Sequence, residues 1–108
     1  MTTRPVVPRT RALVDIEAAA DYYADEAGEE IALRFIDALD AAFSAIARNP
    51  AMGSPRYQQE LDLPGLRHQL VRGFPFLIFY VELEDRIDIW RVLHAHRDIP
   101  GTMADPEA

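Results

Sequence analysis

Apolar residues recur every three or four positions through the first half of the chain, which is the period of an α-helix with one buried face. The first helical run contains Leu13, Ile16, Ala20, Tyr23 and Ala27. The second contains Ala32, Phe35, Leu39, Ala42 and Ile46. Gly28 separates the two runs, and Thr10 is placed to cap the start of the first helix. We therefore expect two helices that pair as an antiparallel hairpin.

The second half of the chain changes to short apolar or alternating runs, which are typical of β-strands. A loop with two prolines and one glycine in positions 49–55 ends the second helix near Arg48. Three strands are predicted after it, at 66–72, 76–82 and 86–94, and the turns between them are short enough to require antiparallel neighbours. The segment 5–8 contains two prolines and suits only a brief edge strand or an extended lead-in.

The middle strand is apolar on both faces, so it is predicted to be central and covered on both sides. The last strand alternates, with one face expected to carry Ile87, Ile89 and Leu93 and the other Asp88, Trp90 and His94. The whole pattern predicts an α+β fold, a helical hairpin packed on a three- to four-stranded antiparallel sheet. One domain is expected over residues 1–99, followed by a flexible polar tail over 100–108.

Composition limits the chemistry that this fold can carry. The chain has 108 residues, no cysteine and three histidines, so thiolate chemistry is excluded. The histidines lack the i, i+4 spacing of helical metal ligands, and neither a metal site nor a cofactor is expected. No segment reaches the roughly 18 apolar residues of a membrane span, so the cytoplasm is the expected location.

The formal net charge of −7 argues against a protein that binds nucleic acid by its whole surface, because such binding depends on Lys and Arg that neutralise phosphates. The charge is also unevenly placed. Residues 15–40 carry nine acids and one arginine, whereas residues 48–97 carry seven arginines and six acids, and the chain has no lysine. Two different faces for partners are therefore expected.

Several short motifs follow one another along nearly the whole chain. They are Pro8-Arg9-x-x-Ala12, Asp21-Tyr22-Tyr23, Arg34-Phe35-Ile36-Asp37-Ala38-Leu39, Asn49-Pro50-x-Met52-Gly53, Gly65-Leu66-Arg67, Ile78-Phe79-Tyr80 and Arg91-Val92-Leu93-His94-x-x-Arg97-Asp98. In this order and spacing, the set resembles the ParE branch of the ParE/RelE toxin superfamily. The motifs are specific for the superfamily and less specific for an activity within it.

The resemblance implies a bacterial toxin encoded beside a ParD-like antitoxin, whose C-terminal segment wraps and neutralises it. Members of the ParE branch are associated with poisoning DNA gyrase, whereas RelE members cut mRNA in the ribosomal A site. We expect a gyrase-binding toxin without catalytic residues of its own. The alternatives are a ribosome-dependent endoribonuclease and a non-toxic partner of the antitoxin.

A ribonuclease of the RelE kind would need a cluster of basic groups and an acid/base residue on the sheet. The absence of lysine, and of any tyrosine after Tyr80, weakens this hypothesis. The remaining candidates are Arg67, Arg72, Arg91, His94, His96 and Arg97. Several also have structural interpretations. Arg67 suits a structural clamp, His94 a hydrogen bond to a loop or tail carbonyl, and Arg91 an ion pair with a buried acid such as Asp37 or Asp40.

The residues predicted to contact protein partners are aromatic or charged, and they lie at expected surface positions. They are Tyr22, Asp25, Glu29, Arg56, Tyr57, Arg72 and Trp90. Each has an alternative structural role. Trp90 suits the core as well as an antitoxin interface, and the acids around the hairpin turn are either a solvated helix end or a docking patch for arginines of the antitoxin.

Overall fold

A computed structural model describes residues 3–103. Helices α1, Thr10–Ala27, and α2, Glu29–Arg48, pack on each other as the predicted hairpin, with only Gly28 between them. Gly28 has a φ of 98°, a conformation that glycine adopts without steric cost. Thr10 is the first helical residue rather than the cap, because the preceding Arg9 still donates its backbone N–H to Ile89 of the sheet at 2.9 Å.

The sheet has four strands: β1, Val6–Pro8; β2, Leu66–Leu70; β3, Phe76–Glu82; and β4, Ile87–His94. Their spatial order is β1-β4-β3-β2, so β3 lies inside the sheet as predicted. The last three strands are antiparallel, as their short turns require, but β1 pairs with β4 in parallel. The whole helical hairpin and two strands separate β1 from β4, so no turn fixes their relative direction. The α+β fold is confirmed, with a mixed sheet.

An irregularity in β4 changes which side chains share a face. Tyr80 is paired with Ile89 and Phe79 with Arg91, which leaves Trp90 as an extra residue in the pairing. One inserted residue reverses the alternation of side chains beyond it. Ile87 and Ile89 consequently pack toward the helices, whereas Leu93 packs on the opposite side of the sheet. The prediction of one face for all three was wrong, because it assumed an unbroken period of two.

Each face of the sheet has its own apolar core. The buried residues between the sheet and the helical hairpin, the helix-side core, are Ala12, Ala19, Phe35, Leu39, Ala42, Ile46, Val71, Phe76, Ile78, Tyr80, Ile87, Ile89 and Val92. Those on the opposite face, the outer core, are Leu66, Phe79, Leu93, Ile99 and Met103. Side chains of β3 contribute to both cores, as its apolar sequence predicted.

A short third helix, α3, spans Ile99–Met103, where the sequence predicted the start of a flexible tail. Ile99 and Met103 are 2% and 6% exposed because both pack into the outer core. Asp98 accepts a hydrogen bond from the backbone N–H of Gly101 at the start of this helix. The helix covers the first part of the predicted tail, and positions 104–108 lie outside the described residues. Within 3–103, no helix is long and apolar enough to cross a membrane.

Candidate functional site

An open groove lies between α1 and the adjoining ends of β3 and β4. Its walls are helical side chains on one side and strand or turn side chains on the other. They are Asp15, Ala18, Ala19, Tyr22, Tyr23, Pro75, Phe76, Val92, Leu93, His94 and Arg97. The volume is about 410 Å³, and small side chains at Ala18 and Ala19 leave this space open. This α1 groove brings together Tyr22, which the sequence suggested as a partner contact, and His94 and Arg97, which it suggested as ribonuclease candidates.

The inner end of the α1 groove rests on an aromatic cluster. The ring of Tyr23 lies 5.3 Å from that of Phe35, 5.2 Å from that of Phe74 and 6.1 Å from that of Phe76. Burial, and to a smaller extent the neighbouring Tyr22, raises the pKa of the Tyr23 phenol. Tyr22 itself is 60% exposed. Neighbouring residues of a helix point in different directions, so Tyr23 packs against the core while Tyr22 points toward solvent.

A buried ion pair holds α1 against β4. The Arg91 guanidinium donates to the two carboxylate oxygens of Asp15 at 2.7 and 2.9 Å, and the backbone N–H of Val92 donates to the same carboxylate at 3.0 Å. Both side chains are nearly enclosed, with 3% and 10% of their areas exposed. The prediction that Arg91 pairs with Asp37 or Asp40 was wrong, because both of these acids lie exposed on α2. Arg91 is thus a structural residue.

His94 lies at the rim of the α1 groove, where β4 ends. Its ring packs against Phe76, with centroids 5.2 Å apart, and its Nδ1 accepts the backbone N–H of His96 at 3.1 Å. The sequence had suggested a hydrogen bond from this histidine to a carbonyl, whereas Nδ1 acts as an acceptor that closes the turn. Arg97 follows in the same turn and is exposed. The rim therefore presents one imidazole and one guanidinium.

Arg67 and Tyr80, which face each other across β2 and β3, both hold the Pro-x-Met-Gly loop. Arg67 donates to the carbonyl oxygens of Ala51 and Gly53 at 3.1 and 2.7 Å, which makes it the structural clamp suggested by the sequence. The Tyr80 hydroxyl donates to the carbonyl of Pro50 at 2.6 Å and accepts the N–H of Gly53 at 3.1 Å. A Cβ on Gly53 would lie 2.2 Å from that hydroxyl oxygen, so the close approach requires glycine.

The loop after Gly53 covers the outer core with the side chains of Tyr57, Leu61 and Leu63. The ring of Tyr57 lies 5.5 Å from that of His68 and 5.8 Å from that of Phe79, and the exposed Arg56 stacks on Tyr57 at 5.1 Å. Burial, followed by the nearby Arg56 charge, lowers the pKa of His68. Tyr57 is half-buried, so a partner can reach only part of its ring.

Trp90 belongs to a polar cluster that the sequence analysis did not identify. Its indole N–H donates to Asp88 at 3.0 Å, and the Arg9 guanidinium lies 4.3 Å above the ring while donating to the same carboxylate at 2.8 Å. The indole also packs against the outer core. Asp88 is buried, and Arg9 pairs with its carboxylate across the β1–β4 pair. The Pro8-Arg9 motif drew attention to Arg9 in the sequence, but only the pairing of β1 with β4 showed that Asp88 is its acidic partner.

The remaining predicted partner residues are dispersed. Asp25 and Glu29 are exposed on either side of the hairpin turn, and Arg72 is exposed beside the turn at Gly73. None of these three lines the α1 groove. The surface positions selected from the sequence therefore occupy several separate parts of the molecule, and only Tyr22, His94 and Arg97 meet in the α1 groove.

Comparison with known proteins identifies the family. The family model described as the ParE toxin of the type II toxin–antitoxin system parDE matches residues 6–99. The chain belongs to the ParE toxin family. A solved structure titled "Chromosomal ParDE TA system from P. aeruginosa" matches with a TM-score of 0.72. The match has 21% identity and covers 87% of this chain and 98% of the other, so it shows that the ParE fold is shared. A comparison with curated proteins gave no match.

Proposed function

We propose that this ParE toxin acts by binding DNA gyrase and that a ParD-like antitoxin neutralises it. The main support for this proposal is that two arginines, which a ribonuclease would need to present to RNA, are bound to groups within the protein. Arg91 is buried against Asp15, and Arg67 donates to two loop carbonyls. Both charges serve the fold, which favours a toxin that acts by contact with a protein target.

The residues that remain do not assemble the groups that RNA cleavage needs. Stabilising a phosphorane-like transition state calls for several cationic donors around one phosphate, together with a positioned acid or base. Of the six ribonuclease candidates selected from the sequence, only His94 and Arg97 line the α1 groove. The Nδ1 atom of His94 is already engaged with the N–H of His96. This geometry supports a binding role over general acid/base catalysis.

The decisive test uses purified toxin and purified gyrase. We expect loss of supercoiling and accumulation of cleaved DNA complexes as toxin is added, and recovery when the antitoxin is added first. Toxin pre-mixed with an equimolar amount of antitoxin is the matched control, because it contains the same folded chain with its partner surface occupied. Unchanged supercoiling and cleavage at saturating free toxin would show that gyrase is not the target.

Induction of the toxin in a bacterial host separates the alternatives. We expect growth arrest with DNA damage and intact mRNA, relieved by the antitoxin. Arrest with cut mRNA that disappears in His94→Ala, but persists in the control Arg48→Ala at an exposed position of α2, would instead support the ribonuclease. Normal growth with soluble toxin present would leave the non-toxic binding partner as the better description.

A further inference from the structure

The free edge of β2 has an open backbone position at Leu70. Every second residue of an antiparallel edge strand directs its N–H and C=O away from the neighbouring strand. His68 directs both groups away from β3, because they bond to the backbone of Ser54 at 3.0 and 2.9 Å. Leu70 is the next residue in this alternation, and the following Val71 donates to Phe76. The N–H and C=O of Leu70 therefore face outward, where no group of residues 3–103 bonds to them.

The opposite edge of the sheet is closed more completely. β1 covers the first part of β4, and its outward-facing Pro8 has no N–H to donate. Beyond β1, the N–H of Val92 donates to the Asp15 carboxylate at 3.0 Å. An unpaired edge can accept a further strand from another protein. Leu70 is therefore the position of the described sheet best suited to such an addition.

The side chain of Leu70 makes the same position apolar. It is 52% exposed, although its neighbour across the ladder, Leu77, packs against the outer core. His68 lies two residues earlier on the same face, and its ring is 5.5 Å from that of Tyr57. Leu70 thus continues an apolar and aromatic surface to the end of the strand. A segment that bonds to the backbone of this edge can also cover the leucine.

Two arginines flank this position. Arg56 stacks on the ring of Tyr57 at 5.1 Å, beside His68. Arg72 is exposed two residues after Leu70. Neither arginine has a carboxylate partner within residues 3–103. Their charges are therefore available to a binding partner.

The acids of the neighbouring loop lie at the opposite end of β2. Glu60 and Asp62 come shortly before Leu63, whose carbonyl accepts the N–H of Leu66 at 3.1 Å. Leu66 and Leu70 are four residues apart, which is about 13 Å along a strand. The edge at Leu70 is therefore locally cationic.

We infer that the β2 edge, defined by Arg56, His68, Leu70 and Arg72, receives an extended segment of the target protein that carries acidic residues beside an apolar one. The segment adds as a short strand, because its backbone bonds to the N–H and C=O of Leu70 while its carboxylates pair with the two arginines. This inference rests on the proposed function, which makes DNA gyrase the target. It adds the surface that makes the contact and the chemistry of the segment that is bound.

A second copy of this chain fits the edge less well. Two copies related by a two-fold axis would bring the same surface together, so that Arg56 and Arg72 of one copy would approach those of the other. Like charges placed together oppose association, whereas an acidic segment is attracted. Charge therefore favours a different protein as the occupant.

Inhibition of purified gyrase by purified toxin variants tests the edge. We expect Leu70→Glu to raise the toxin concentration for half-maximal inhibition of supercoiling by about 30-fold, because it removes the apolar contact and repels an acidic segment. Leu33→Glu is the matched control, since Leu33 is a 58% exposed leucine of α2. This control should change the half-maximal concentration by less than about twofold.

Charge reversal tests the arginines. Arg56→Glu with Arg72→Glu should raise the half-maximal concentration by about tenfold. The control is Arg34→Glu with Arg48→Glu, at two exposed arginines of α2, and it should stay within about twofold of the wild type. Added salt should weaken inhibition by the wild type more than inhibition by the Arg56/Arg72 variant, because only the wild type makes these ion pairs.

A proline substitution tests strand addition itself. Leu70→Pro removes the outward N–H but no hydrogen bond between β2 and β3, so an edge position tolerates it. Compared with Leu70→Ala, we expect a further loss of inhibition of about fivefold, the scale of one hydrogen bond. Equal inhibition by these two variants would show that side chains alone make the contact, and strand addition would be wrong. Melting curves of each variant identify any loss that comes from unfolding.

The possible outcomes separate this inference from the function on which it rests. If wild-type toxin inhibits gyrase and both Leu70→Glu and the Arg56/Arg72 variant inhibit equally well, the target binds elsewhere and the edge assignment is wrong. If those variants lose antitoxin binding or self-association while gyrase inhibition is unchanged, another molecule occupies the edge and the assignment is again wrong. If folded wild-type toxin leaves gyrase unaffected, the proposed function fails, and this inference fails with it.

Discussion

The two faces of the sheet are covered very differently. Helices of 18 and 20 residues cover one face, and they bury thirteen residues in the helix-side core. The other face is covered by the loop after Gly53 and by α3, a helix of five residues, and its outer core contains five buried residues. Side chains on both faces of β3 are buried, but only one face is covered by long helices.

The two cores also differ in how their covers are attached. On the helix side, the ion pair between Asp15 and Arg91 joins α1 to β4 inside the protein. On the outer side, α3 is attached mainly by the side chains of Ile99 and Met103. Elements held by few buried contacts open at lower free-energy cost than the rest of a domain. We therefore expect the outer side to be the less stable part of this toxin.

The largest effect is expected from the ion pair on the helix side. Asp15→Asn should lower the free energy of unfolding by about 3–5 kcal/mol, because it leaves the Arg91 charge buried without its carboxylate. Urea unfolding followed by circular dichroism measures this. Asp40→Asn, at an exposed position of α2, is the matched control and should change stability by less than about 0.5 kcal/mol. Similar small losses for both variants would remove the energetic distinction between the faces.

A smaller loss is expected on the outer side. Met103→Ala should cost about 2 kcal/mol, the lower end for a buried methionine, because a five-residue helix can shift to fill part of the space. The same change at Met52, which is 42% exposed, should cost less than about 0.5 kcal/mol. Hydrogen exchange should show the amides of α3 opening before those of α2. Equal protection in both helices would contradict the comparison.

The smallest effect concerns pH. Burial lowers the pKa of His68 from its usual 6.5, so the folded protein binds this proton less readily than the unfolded chain. Stability from His68 is therefore fully present above pH 6.5 and declines as the pH falls toward the lower, folded-state pKa. We expect His68→Gln to flatten the change in unfolding free energy between about pH 7.5 and 5.5. The control Gln69→Ala changes a side chain of the same strand that does not titrate and should retain the wild-type slope, and an unchanged slope in His68→Gln would exclude His68 as its source.

Local pattern was sufficient for most of the architecture. The period of the apolar residues predicted both helices, and the turn residues predicted three antiparallel strands in the correct order. Gly28 and Pro50 marked boundaries because their backbone preferences act within one or two residues. Short motifs over most of the chain also indicated the family that the comparison later established.

Contacts between residues far apart in the chain could not be predicted from local sequence patterns. The inserted Trp90 reversed the faces of β4, and the partner of Arg91 proved to be Asp15 rather than an acid of α2. Both outcomes depend on how two separate elements are aligned. A one-residue change in that alignment alters every facing pair while leaving the apolar pattern unchanged.

The candidate site shows the same division. Tyr22 was selected from the sequence as an aromatic partner contact, and His94 and Arg97 were selected as members of a possible ribonuclease cluster. Their meeting in one groove was not predictable, because it requires α1 to cross the end of β4 at a particular place. The buried Asp15–Arg91 ion pair helps to hold that crossing.

The sequence by itself determined the two long helices, the three antiparallel strands, their order, the α+β class and the family, because these follow from short-range periodicity, turn chemistry and local motifs. Tertiary structure alone decided the parallel pairing of β1, the docking of α3 and the separation of structural from accessible arginines. These features depend on packing between residues far apart in the chain. The local sequence around an arginine is the same whether the arginine is buried against a carboxylate or exposed to solvent.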